Sequence, residues 1–137
     1  MPIKTLIYRR ITVLTTLETF GPTILVVEDD QEIRDSMKEI LEMEGYQVAT
    51  AVNGKEAIDL LRTSTIQPRL VLLDMMMPVM DGIGFLKVIE TDSSLAKIPV
   101  YIHSASADIN GFGGAKGLLR KPATYNALMN LVQSYCH

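Results

Sequence analysis

The 137 residues include one cysteine, no tryptophan, three phenylalanines and two histidines. A lone Cys136 excludes an internal disulfide framework and fits a reduced, cytoplasmic setting. Long apolar runs are missing too. The stretch 70–73 (LVLL) is strand-sized and ends at Asp74, far short of what a membrane span needs. Near the N-terminus Lys4, Arg9 and Arg10 lie among apolar residues, but no continuous apolar segment or small-residue cleavage site follows. No secretory signal is therefore expected. Positive charge is in short supply, with 13 Lys and Arg against 16 Asp and Glu and a net charge of −3. Clustered Lys and Arg are what neutralise nucleic-acid phosphates, so nucleic acid is not expected as the main partner.

The chain is 47% hydrophobic, a globular composition, and long enough for one domain with a real core. Its charge is unevenly spread. Residues 1–22 carry Lys4, Arg9 and Arg10 against Glu18, a net of +2, whereas residues 23–137 hold 10 basic and 15 acidic residues, a net of −5. Gly21-Pro22 lies between the two as a breaker pair. It divides an N-terminal extension of unassigned role (1–22) from the body of the chain (23–137).

The body alternates short apolar runs with amphipathic stretches. Residues 23–27 (TILVV) and 70–73 are apolar at every position, as in strands buried on both faces. Between them, Ile33, Met37, Ile40 and Leu41 recur at helical spacing over 31–44, and Gly45 is a natural stop. Residues 46–51 read as a strand, and Asn53-Gly54 as the turn into a helix bearing Ala57, Ile58 and Leu61. Asp81-Gly82 opens a helix with Phe85, Leu86 and Ile89 inward, 99–103 is a fourth strand and 117–120 a fifth. Thr124 is placed to cap a last helix carrying Leu128, Leu131, Val132 and Tyr135. This alternation predicts an α/β fold whose parallel sheet is covered on both sides. The interval 104–116 (SASADINGFGGAK) breaks the rhythm. It holds Gly111, Gly113 and Gly114, so the fourth helix should be short, irregular or absent.

In such a sheet, ligands bind beyond the carboxyl ends of the strands. The first strand ends in Glu28-Asp29-Asp30, the third in Asp74, the fourth in Ser104 and the fifth in Lys121. If the first and third strands are neighbours, their carboxylates converge at about 4.8 Å spacing, and like charges so close raise one another's pKa. A hard divalent cation with oxygen ligands resolves that conflict, and Mg²⁺ suits a few carboxylates plus waters. Lys121 adds a fixed positive charge. Such a site has the parts to take a phosphoryl group on a carboxylate oxygen.

Glu28-Asp29, Asp74 with Met77-Pro78 and Asp81-Gly82, Ser104-Ala105, and Lys121-Pro122 together resemble, in order, the receiver domain of two-component response regulators. The resemblance spans residues 23–137 and points to the stand-alone, single-domain type. It implies a flavodoxin-like, doubly wound five-stranded sheet of order 2-1-3-4-5. It also implies a phosphoacceptor rather than an enzyme, catalysing only its own Mg²⁺-dependent phosphorylation and dephosphorylation. Asp74 would take the phosphoryl group from a phosphohistidine on a sensor histidine kinase or phosphotransfer protein. Glu28 and Asp29 would hold Mg²⁺ with Asp74, and Met76 would offer its backbone carbonyl. Ser104 would hydrogen-bond the phosphoryl group, Lys121 would pair with one of its oxygens, and Ala105 leaves it room. A cis peptide before Pro122 is expected on the same ground. The phosphoryl group would bias a two-state equilibrium, read out by a downstream protein of unknown identity or by a phosphorylation-dependent dimer. No output domain is expected beyond the last helix, which leaves protein contacts as the expected output.

Two departures stand out. Leu118 occupies the fifth-strand position where the family usually carries an aromatic residue that reports phosphorylation. The interval between Ser104 and Lys121 is short and glycine-rich, which predicts that Ser106–Gly114 is mobile and reorders on phosphorylation. Other readings are weaker. Asp74 alone would be a turn or cap residue, and Asp30 fits the cap of the first helix. An aspartate-based phosphohydrolase needs a second carboxylate where Met76 stands, and a nucleotide- or flavin-binding module would be repelled by Glu28-Asp29-Asp30. A degenerate receiver that acts only as an interaction module is at odds with the complete set of acids, Ser104 and Lys121. Met75 and Met77 read as core filling. His103, one residue before Ser104, turns to the opposite face and reads as a packed histidine.

Overall fold

The computed structural model describes residues 23–63, 66–105 and 113–136. The extension 1–22 and most of the segment predicted to reorder, 106–112, lie outside the described residues. Among the described residues the elements alternate as β1 (Thr23–Val27), α1 (Gln31–Met43), β2 (Gln47–Ala51), α2 (Gly54–Thr63), β3 (Leu70–Leu73), α3 (Gly82–Glu90), β4 (Val100–Ser104), β5 (Gly117–Arg120) and α4 (Tyr125–Tyr135). All pairings are parallel, in the order β2-β1-β3-β4-β5, which is the 2-1-3-4-5 arrangement. Of the interval between β4 and β5, Ala105 and residues 113–116 are not helical.

Each helix starts where a short polar side chain can take an orphan backbone N–H. Asp30 accepts from Ile33 N at 3.0 Å, Asn53 from Glu56 N at 2.8 Å, Asp81 from Gly84 N at 2.9 Å and Thr124 from Ala127 N at 3.1 Å. The helix α1 ends at Gly45, whose φ of +97° is open to glycine without steric cost. Strand boundaries move by one residue from expectation. Pro99, having no N–H, joins only as an acceptor from Val71 N (2.9 Å), while Ser104 pairs with Arg120 in β4·β5.

The sheet buries apolar side chains on both faces. On one, Leu25, Val27, Val71, Leu73 and Ile102 pack under α2 and α3 with Phe85, which is wholly buried. On the other, Ile24, Val26, Leu70, Leu72 and Leu119 pack under α1 and α4 with Met37, Leu41, Leu128 and Val132. Burying one such side chain is worth about 1.5–3 kcal/mol, so both helix layers are anchored. Cys136 is buried in the second cluster. Among the described residues no helix is long and apolar enough to cross a membrane.

The loop from β3 to α3 is built tightly. Gly82 N donates to Met75 O (3.1 Å), and a Cβ on Gly82 would meet the Met75 sulfur and, at 2.9 Å, both the Asp74 carbonyl oxygen and Met75 Cα. Backbone cannot move aside cheaply, so Gly82→Ala is expected to destabilise the fold by about 2 kcal/mol, measured by urea denaturation. At the outer end of the loop, Met80 N donates to Pro78 O at 2.7 Å across Val79, whose φ is +69°. This γ-turn is of the rare, strained hand, and the β-branched residue at its centre is 79% exposed with little packing to lose. Strain at such a residue costs roughly 1–3 kcal/mol, whereas glycine there costs about 0.5–1 kcal/mol of chain entropy. Val79→Gly is expected to raise stability by about 1 kcal/mol; an unchanged denaturation midpoint would show the turn to be unstrained.

Candidate phosphoryl-acceptor site at the strand ends

The strand register brings the site together. Val27 pairs with Leu73 and Leu73 with Ile102, so the next residues, Glu28, Asp74 and His103, stand level across three adjacent strands. Asp74 N donates to Val27 O (2.9 Å), continuing the ladder one step past β3. By alternation all three belong to the face of Val26 and Leu72, the side covered by α1 and α4. All three are buried, at 1%, 5% and 4% exposure.

Asp29 completes an acidic group, with ligand oxygens of Glu28, Asp29 and Asp74 within 4.8 Å of one another. Arg34, one turn into α1, holds the backbone of this corner by donating from Nη1 to Glu28 O (2.9 Å) and Asp29 O (3.3 Å). The Glu28 Oε2 atom accepts from Asp30 N at 3.3 Å. Lys121 follows β5, and its N–H donates to Ser104 O at 2.9 Å, tying the ends of β4 and β5. Its ammonium lies 2.9 Å from Glu28 Oε1 and 3.3 Å from Asp74 Oδ1. The Lys121–Pro122 peptide is cis, as expected.

The electrostatics follow from burial. Desolvation pushes the Glu28 carboxyl above its ordinary value; contact with Lys121 pulls it back, and the charge of Asp74 raises it again. Burial alone would lower Lys121, but its bond to Glu28 and the charges of Asp74 and Glu28 outweigh that and hold the ammonium above its usual range. His103 is pushed down to about 4, first by burial and then by the Lys121 charge, with Asp74 opposing, so the ring is neutral at pH 7. One ammonium thus faces three clustered carboxylates, a donor set of hard oxygens that fits a divalent cation such as Mg²⁺.

The other expected positions fall as follows. Met76 N donates to Asp74 Oδ1 at 3.4 Å while its side chain is 81% exposed. Met75 is buried in the core and Met77 packs against it. Ser104 is half-buried at the end of β4, one position beyond the level of His103. Leu118 pairs with Ile102 and packs against the α2/α3 core, away from the carboxylate face. Two contributors were not singled out from sequence. Arg34 lies within the first helix, and its partners are backbone carbonyls of Glu28 and Asp29. His103 was placed on the right side of its strand, but that side is the one carrying Glu28 and Asp74.

The parallel α/β sheet thus carries a cluster of three carboxylates and one lysine beyond its central strands. The profile of the response regulator receiver domain family matches residues 24–133, and the chain belongs to that family. An uncharacterised 14.6-kDa protein from Leptolyngbya boryana is 36% identical over 118 residues, covering 82% of this chain and 88% of the relative. Chemotaxis response regulator CheY4 of Vibrio cholerae is similar in structure, with a TM-score of 0.76, 28% identity, and coverage of 84% of this chain and 98% of CheY4. The receiver domain of the sensor histidine kinase PA1611 from Pseudomonas aeruginosa shares the fold at 24% identity (TM-score 0.76, covering 84% and 97%); its structure has a magnesium ion coordinated in the active site cleft. Against longer transcriptional regulators the chain spans half their length or less, 48% for RpaA of Synechocystis and 27% for CpxR of Escherichia coli.

Proposed function

We propose that the chain is a phosphoacceptor: Asp74 takes a phosphoryl group from a histidine kinase or phosphotransfer protein, and the phosphorylated surface signals by contact with another protein. The observation that carries this reading is the clustering of Glu28, Asp29 and Asp74 within 4.8 Å, with Lys121 reaching Glu28 and Asp74. An Asp74 carboxylate oxygen forms the new O–P bond as the N–P bond of the phosphohistidine breaks, and the electron pair stays on the imidazole nitrogen. Lys121 pairs with a phosphoryl oxygen and Ser104 donates to another. Glu28, Asp29 and Asp74 would hold Mg²⁺, with the Met76 carbonyl as a further ligand. A bound Mg²⁺ would offset the charge that the carboxylates and the phosphoryl oxygens share. The chain does not act on a separate substrate, so it is no enzyme in the ordinary sense.

Residues 23–137 form the receiver and 1–22 an extension outside it. A cytoplasmic setting follows from the kinase partner. The net charge of −5 on residues 23–137 makes nucleic acid an unfavourable partner. The signal passes to a downstream protein or through the chain's own dimer. The test is incubation with a small acyl phosphate, with Mg²⁺ and with excess chelator, followed by intact mass. A single phosphoryl adduct that needs Mg²⁺ is expected; uptake that persists in chelator would sink the metal-assisted reading.

A further inference from the structure

His103 is the one member of the buried row that the phosphoacceptor chemistry leaves unused. His103 is 4% exposed, and its Nδ1 lies 3.9 Å from Glu28 Oε1. That separation is too long for a hydrogen bond and short enough to close with a small rotation of either side chain. Lys121 pairs with Oε1 by charge at 2.9 Å, and among the described residues this oxygen accepts no hydrogen bond, so it has an acceptor position open. Among the described residues Nε2 has no hydrogen-bond partner.

A neutral imidazole carries one N–H. With the proton on Nε2, the Nδ1 lone pair would point at a carboxylate oxygen; with the proton on Nδ1, a donor points at it. The buried charge therefore selects the Nδ1–H form. Lys121 meanwhile has two claims on its ammonium. In the structure it neutralises Glu28 and Asp74; in the phosphorylated state, on the reading proposed above, it turns to a phosphoryl oxygen. Its departure would take away the contact at Glu28 Oε1 and leave the metal alone to hold that buried carboxylate, which is costly.

We infer that His103 is a positioning residue that takes over Glu28 when Lys121 leaves it: Nδ1–H donates to Oε1, keeping the carboxylate aimed at the metal site while the lysine engages the phosphoryl group. The inference rests on the phosphoacceptor reading. It assigns the imidazole no contact with the reacting atoms.

The test uses the full chain with Mg²⁺ and beryllium trifluoride, a tetrahedral phosphoryl analogue, and compares wild type, His103→Leu and His103→Asn. Leu keeps the bulk without a donor, whereas Asn Nδ2 restores a donor near Nδ1. Expected is a loss of analogue affinity of about tenfold in His103→Leu, the worth of a hydrogen bond to a charged group, with most of it regained in His103→Asn. A packing role would make Asn, the poorer apolar filler, at least as bad as Leu, and that result overturns the inference. Ring ¹⁵N shifts in the wild-type chain give a readout independent of any variant. The Nδ1–H form with a further deshielded Nδ1 proton on analogue binding is expected, and an Nε2–H form in the analogue complex overturns it. Should wild type fail to bind the analogue, or bind it equally with Asp74→Ala, the phosphoacceptor reading itself falls and takes this one with it.

Discussion

Asp74→Asn is expected to reduce Mg²⁺-dependent phosphoryl uptake from a small acyl phosphate to the background of a chelated sample. The change is nearly isosteric, and Asp74 is 5% exposed at the end of the central strand, so packing is retained. What goes is an anionic oxygen able to form the O–P bond and one of three carboxylates in the cation site. Both losses act on the same step, which is why the effect exceeds that of any neighbour. The variant should be close to wild type in stability in the absence of Mg²⁺, because the Glu28–Asp74 repulsion that Asn removes offsets the loss of the Lys121–Asp74 ion pair at 3.3 Å. Denaturation with and without Mg²⁺ separates the two effects. Wild type gains stability as Mg²⁺ is added, by the logarithm of its saturation, and Asp74→Asn gains much less.

Lys121→Met is expected to move two observables in opposite directions. The Lys121 ammonium, whose side chain is 19% exposed, bridges Glu28 and Asp74 at 2.9 and 3.3 Å. Removing it leaves two buried carboxylates without a counter-charge, and breaking such a pair costs about 3 kcal/mol of stability in metal-free solution. Removing a cation from the edge of a cation site also lowers the repulsion that an incoming Mg²⁺ meets. Mg²⁺ affinity is therefore expected to rise, by roughly tenfold, and saturating Mg²⁺ to recover most of the lost stability. Uptake of the phosphoryl group is expected to fall at the same time, since the phosphoryl oxygen that Lys121 would pair with loses its cation. Isothermal titration with Mg²⁺ and denaturation at zero and saturating Mg²⁺ check the pair. Unchanged Mg²⁺ affinity together with unchanged metal-free stability would mean that Lys121 is solvated and does not face the carboxylates.

The strands and helices were readable because their signals are local. Asp30, Asn53, Asp81 and Thr124 cap the helices where short polar residues precede apolar periodicity, and Gly45 closes α1 at positive φ. The site was readable in outline because in a parallel sheet the chemistry collects at strand ends, and strand ends are visible wherever an apolar run meets a charge. The level row of Glu28, Asp74 and His103 was not. It depends on the register of β1, β3 and β4, which are distant in sequence. Strands buried on both faces, such as 24–27 and 70–73, also give no polar alternation from which to tell which face a terminal residue takes. His103 could thus be assigned to the face opposite Ser104, yet nothing local said that Glu28 shares it. Arg34 was missed for a related reason, since its partners are backbone carbonyls of Glu28 and Asp29, which leave no mark in a side-chain pattern. The strained turn at Val79 reflects closure of the β3–α3 loop, with Gly54 N bonded to Met80 O at 2.8 Å, a contact made across the fold.

The central claim is that one particular carboxylate receives the phosphoryl group. An acyl phosphate is reduced by borohydride to an alcohol, so a phosphorylated aspartate becomes homoserine and keeps a permanent mark in the peptide. The measurement is peptide mass mapping after the chain has been incubated with a small acyl phosphate and Mg²⁺ and then reduced. Homoserine at position 74, absent when Mg²⁺ is chelated, is the expected result. Homoserine at Asp29, at another acid, or at none while intact mass still shows an adduct would contradict it.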